Sequence, residues 1–112
     1  MLLKDISKKA REYGWIIPVE ITEKAFQEVV VGRVPVPEEI EERLSLILYL
    51  ATKAVKKVGG RRRFVRFRRR AGAIWLEGYD MFIALTPEKS VIIAQIKEAK
   101  DLKELMANDG AK

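Results

Sequence analysis

The sequence predicts an α/β (α+β) layer sandwich: a mostly antiparallel sheet of four to five strands, packed by two or three helices, in one domain spanning 1–112. Three observations predict it. Residues 38–58 carry apolar side chains at helical spacing and run into Gly59-Gly60. After Gly60 the pattern turns to short alternating runs broken at Ala71-Gly72 and Gly78-Tyr79-Asp80. From Val91 to Met106, apolar positions again recur at helical spacing.

Element by element, residues 2–13 read as a short amphipathic helix, with Leu2, Leu3, Ile6, Ala10 and Tyr13 near one face and Gly14 as its stop. Trp15–Ile21 is apolar and β-branched and reads as a strand, which Pro18 pushes towards an edge. Residues 22–31 fit either a helix capped by Thr22 or a strand over Phe26–Val31, and the three consecutive valines favour the strand. Pro35 and Pro37 mark a loop and a helix start.

The segment Glu38–Val58 is the clearest helix. Glu38, Glu39, Glu41 and Glu42 stand at its N-terminal end and Lys53, Lys56 and Lys57 at its C-terminal end, as the macrodipole favours. Ile40, Leu44, Ile47, Leu48, Ala51, Ala54, Val55 and Val58 form the core stripe. Leu46, Tyr49 and Leu50 form a second ridge, which calls for a second packing partner in the same chain or in another subunit. Arg62–Arg69, Ala73–Glu77 and Met81–Leu85 then read as a three-stranded meander with the last strand central. Thr86-Pro87-Glu88 reads as a helix start, giving a C-terminal helix over about 87–107; Val91–Ile96 is alternatively a fourth strand of the meander.

Composition narrows the function. There is no Cys and no His, so disulfides, Ser-His-Asp or Cys-His catalysis and ordinary zinc sites are excluded. Gly59-Gly60 has the spacing of no phosphate-binding loop. A Mg²⁺-dependent enzyme would have to use carboxylates such as Glu20, Glu23, Glu28, Glu77 and Asp80; ion pairing and solvation account for them more simply. The reading is a non-enzymatic binding module with no cofactor. Abundant Lys, Arg and Glu with few Asn and Gln match heat-adapted proteins. No apolar run approaches the roughly 20 residues of a membrane span, and charge interrupts the N-terminus early, so the expectation is a cytoplasmic protein without a membrane partner.

The charge is local. Seven of the ten residues Arg61–Arg70 are arginine; this run carries +7, whereas the whole chain is +6. On an extended strand Phe64, Arg66, Arg68 and Arg70 share one face, while Arg63, Val65, Phe67 and Arg69 share the other. Guanidinium groups grip phosphates bidentately, and an aromatic between them offers a base a stacking surface. Arg63-Phe64-Val65-Arg66-Phe67 resembles the RNP1 element of RNA-recognition sheets without its glycine. Three uses remain open: nucleic-acid binding through Arg63, Arg66, Arg68, Arg69 and Phe64, contact with an acidic protein, and protection of a sheet edge with ion pairing to neighbouring acids.

The stretch Phe64–Leu76 followed by Tyr79–Leu85, with the long helix before it, resembles the final hairpin of the roadblock / dynein light chain family over residues 38–86. The resemblance implies a roadblock/profilin-like layer sandwich. It also implies a homodimer or heterodimer formed through the long helix and the following strand, and scaffolding or regulation of Ras-like small GTPases. Leu46, Tyr49 and Leu50 would then be interface residues. Residues 15–31 lack the turn usual between that family's first two strands, and arginine strands paired across a two-fold axis would face each other unless acids intervened.

Overall fold

In the computed structural model, residues 1–32, 35–58, 64–67 and 80–110 are described. Their strands are β1 (Leu3–Asp5), β2 (Val19–Thr22), β3 (Phe64–Phe67), β4 (Met81–Leu85) and β5 (Val91–Gln95), in one sheet of order β1-β2-β5-β4-β3. Three of the four pairings are antiparallel, and β2–β5 is parallel. The helices are α1 (Ser7–Ala10, continued as a 3₁₀ turn over Arg11–Tyr13), α2 (Glu23–Ala25, widening into a π turn over Phe26–Val31), α3 (Pro37–Val58) and α4 (Ala99–Gly110, entered through a 3₁₀ turn at Ile96–Glu98). The α+β layered sheet expected from the sequence is therefore present, with its radius of gyration of 13.4 Å near the ~13 Å of a compact domain this size.

Strand alternation divides the apolar side chains between two cores. Val19, Ile21, Val65, Phe67, Met81, Ile83, Val91 and Ile93 point to the larger one, roofed by Ala25, Val29 and Val30 of α2 and by Leu44, Ile47, Leu48 and Ala51 of α3. On the opposite face Phe82, Ala84, Ile92 and Ala94 meet Leu102 and Met106 of α4. Strand β5 is buried throughout, which explains why its sequence lacks the alternation of a half-exposed strand.

Several local expectations change. Strand β1 occupies residues 3–5, so helix formation begins only at Ser7; Gly14 does end it, at φ 93°. Pro18 precedes β2 rather than lying in it, and β2 is an interior strand; the Pro18 carbonyl accepts from Val91 N at 2.9 Å. Residues 23–31 are helical in spite of the valines. Thr22 caps them, its Oγ1 accepting from Ala25 N at 3.1 Å, and Gly32 at φ 71° releases the chain. The Arg43 guanidinium donates to the carbonyls of Val30 and Val31 at 3.3 and 3.1 Å, satisfying oxygens that a helix end leaves without an intrahelical donor.

Thr86-Pro87-Glu88 opens a hairpin instead of a helix. Lys89 N donates to the Thr86 carbonyl (3.0 Å), Thr86 N to the Ser90 carbonyl (2.9 Å) and Ser90 N to Thr86 Oγ1 (3.0 Å), with Lys89 at φ 60°. Val91–Gln95 is the strand alternative, and the C-terminal helix starts only after a reciprocal Gln95/Glu98 capping box. In the sheet, β3 pairs with β4 and β4 with β5; the strand expected over 73–77 lies outside the described residues. The order strand, helix, strand, helix over residues 3–31 also differs from the helix, strand and favoured second strand expected there from the sequence.

Candidate functional site

The end of the long helix and the strand after it carry exposed cations. Lys53, Lys56 and Lys57 lie exposed in the last turns of α3, and the chain then enters the arginine-rich stretch and β3, the outermost described strand on that side. Between residues 53 and 70 there are ten Lys/Arg and no acid; the other 94 residues hold twelve Lys/Arg against sixteen Asp/Glu and are net −4. The positive charge thus belongs to one helix end and the segment that follows it. A concentration of this kind sets up a local field for a polyanion even when net charge is modest.

Within β3, Val65 and Phe67 are buried in the larger core, while Phe64 and Arg66 point to the α4 face. Arg66 is exposed, and its Nη2 lies 2.8 Å from Asp80 Oδ2, with both side chains about half accessible. An ion pair this exposed contributes at most about 1 kcal/mol, so it orients the guanidinium without withdrawing it from solvent. Phe64 packs into the smaller core, its ring centroid 6.1 Å from that of Phe82, and Lys103 Nζ of α4 stands 5.0 Å over the ring. Phe64 is therefore an anchor for α4 and not an open stacking surface. The sheet face that an RNA-recognition module would leave bare for bases is covered here by α4. Arg63, Arg68 and Arg69, also expected at this site, lie outside the described residues.

The second ridge of α3 has a different standing from the one its sequence suggested. Leu50 is buried in the larger core, and Leu46 and Tyr49 are half-buried against it. Lys53 Nζ stands 5.4 Å from the Tyr49 ring centroid. The packing partner that the ridge called for is thus supplied largely by the same chain.

Sequence reasoning missed a polar network at the other end of the sheet. Thr22, fully buried, uses its hydroxyl twice: it accepts from Ala25 N and donates to Glu98 Oε2 at 3.0 Å. The same carboxylate oxygen accepts from Gln95 N at 2.9 Å, tying β2, β5 and the entry to α4 together. The partners are 76 residues apart, so the one local signal was the Gln-x-x-Glu capping pattern. Beside this network Glu28 accepts from Lys97, which holds its carboxyl below the usual glutamate range. Among the described residues no three Asp or Glu come together as metal ligands, and no helix is long and apolar enough to cross a membrane. The chain matches no family model, no curated protein and no solved structure.

Proposed function

We propose that this protein is a non-enzymatic nucleic-acid-binding module that holds the phosphate backbone through the cationic stretch 53–70. The observation that carries the reading is ten cations without an acid in eighteen residues, in a chain that is otherwise net negative. Lys53, Lys56, Lys57 and Arg66 supply exposed charge from two adjoining elements. With Phe64 packed beneath Lys103, the contacts available are to phosphates, so the reading is of binding that tolerates any sequence and does not require unstacked bases. The test is binding of a labelled 20-base-pair duplex to wild type and to Arg61→Gln/Arg62→Gln/Arg63→Gln. Micromolar or tighter binding at 50 mM salt that falls about 100-fold in the variant supports the reading. Wild type that binds no duplex at that salt removes it.

A second reading is a dimeric scaffold of roadblock type that contacts a Ras-like GTPase or another acidic protein. The half-exposed Leu46 and Tyr49 on α3 favour it. Light scattering on wild type and Leu46→Glu tests it: a dimer that the substitution dissociates supports it, and a monomeric wild type removes it.

A further inference from the structure

Helix α4 carries opposite charges on its two flanks. Leu102 and Met106 pack on the sheet and fix how the helix is turned. At 3.6 residues per turn, Asp101 and Lys103 then stand about 160° apart around its axis. Asp101 lines a cleft with Leu2, Glu23 and Lys24, whereas Lys103 turns to β3, its Nζ 5.0 Å over the Phe64 ring. Lys103 is exposed and makes no ion pair with a described acid. Phe64 shares its face of β3 with Arg66, so the ammonium stands on the α4 side of the cationic strand.

Lys53 is held in the same way on α3, the helix that roofs the larger core on the other face of the sheet. It is exposed, its Nζ lies 5.4 Å from the Tyr49 ring centroid, and it too pairs with no described acid. A carboxylate would cancel the charge of an ammonium; a ring attracts it and leaves the charge in place. An ammonium steadied by a ring also has less freedom to lose when it meets a phosphate. We propose that Lys103 carries the phosphate-binding surface onto α4, with Phe64 positioning its ammonium, so that cations from both faces of the sheet flank β3. The inference rests on the nucleic-acid reading and deepens it. Lys103 lies outside the stretch 53–70 in sequence and joins it only through the packing of α4 on β3.

Binding of the labelled 20-base-pair duplex across a salt series tests this. Lys103→Gln is expected to weaken binding about fivefold at roughly 100 mM salt and to make the log–log salt slope shallower by about 1, as loss of one phosphate contact does. Lys103→Arg keeps the charge and should match wild type, as should Lys24→Gln, an exposed lysine of the cleft. Phe64→Leu keeps apolar packing and removes the ring. It should weaken binding about two- to threefold in the wild-type background and not at all beside Lys103→Gln, whereas a purely structural role would weaken both alike. Duplex binding by wild type that Lys103→Gln matches in affinity and slope overturns this extension and leaves the nucleic-acid reading standing. Equal losses in Lys103→Arg and Lys103→Gln overturn it too, because they assign the effect to packing, and equal losses for Phe64→Leu in both backgrounds overturn the positioning role. Wild type that binds no duplex removes both readings together.

Discussion

The two outer strands of the sheet end in opposite surroundings. At β3 the chain arrives from a lysine-rich helix end and carries arginine on both sides of the strand in sequence. At β1 it borders a cleft in which Glu23, Glu98, Asp101 and Glu104 outnumber Lys24 and Lys97. Helix α4 faces both environments: Lys103 leans over Phe64 of β3, while Asp101 and Glu104 line the cleft. A net charge of +6 conceals this separation. What the contrast teaches is that charge is segregated along the sequence, with ten cations and no acid between residues 53 and 70 and every acid placed outside that stretch. Asp80 is a described acid that meets the stretch, through its pair with Arg66.

The largest effect expected from disturbing either end is structural, at the acidic one. Glu98→Ala leaves the Thr22 hydroxyl and the Gln95 amide without their acceptor and should cost about 3 kcal/mol in urea unfolding. Glu98→Gln, which keeps an acceptor, should recover most of that. Equal losses in the two variants would show that the network contributes little. Next comes the basic end. Neutralising Lys53, Lys56 and Lys57 together should weaken duplex binding by about 30- to 100-fold at 100 mM salt and leave the unfolding midpoint nearly unchanged, while Asp101→Asn/Glu104→Gln should leave duplex affinity at or slightly above wild type. Parallel losses in the cleft and lysine variants would erase the distinction between the ends.

Smaller effects refine the comparison. Arg43→Ala removes the donor to the Val30 and Val31 carbonyls and should cost about 1–2 kcal/mol, because those oxygens are part-buried at the end of the π turn. Arg66→Ala should cost less than about 1 kcal/mol in stability, since its pair with Asp80 is half exposed, yet should still reduce duplex affinity measurably. The smallest effect is in pH. Glu28 is held below its ordinary pKa by Lys97, so its pairing stabilises the fold at neutral pH, and that stabilisation is lost as pH falls through the depressed value. Unfolding at pH 6 and pH 3 in wild type and Glu28→Gln should show a slightly smaller acid loss in the variant; an identical loss would assign no role to the pair.

Much of this architecture was legible in the sequence, for identifiable reasons. Helix α3 has twenty-two residues, a charge gradient along its length and proline at its start, so every local cue agreed. The hydrophobic runs that became β3 and β4 were equally clear. Residues 23–31 were not, because β-branched valines favour a strand while the decisive facts, the Thr22 cap and the Arg43 side chain arriving from α3, are respectively ambiguous and non-local. Thr86-Pro87-Glu88 misled because threonine, proline and an acid suit the first turn of a helix and the corner of a hairpin alike. At the candidate site, the cationic run was plain in the sequence. That Phe64 serves the smaller core and that Leu50 faces inward depended on which elements became neighbours.

The central claim, that the stretch 53–70 grips a phosphate backbone by charge, is tested most directly by the salt dependence of duplex binding. A plot of log affinity against log salt between 50 and 300 mM should be linear with a slope of about −3 to −4, as expected for roughly four neutralised phosphates. A slope shallower than about −1, at whatever affinity, would contradict it.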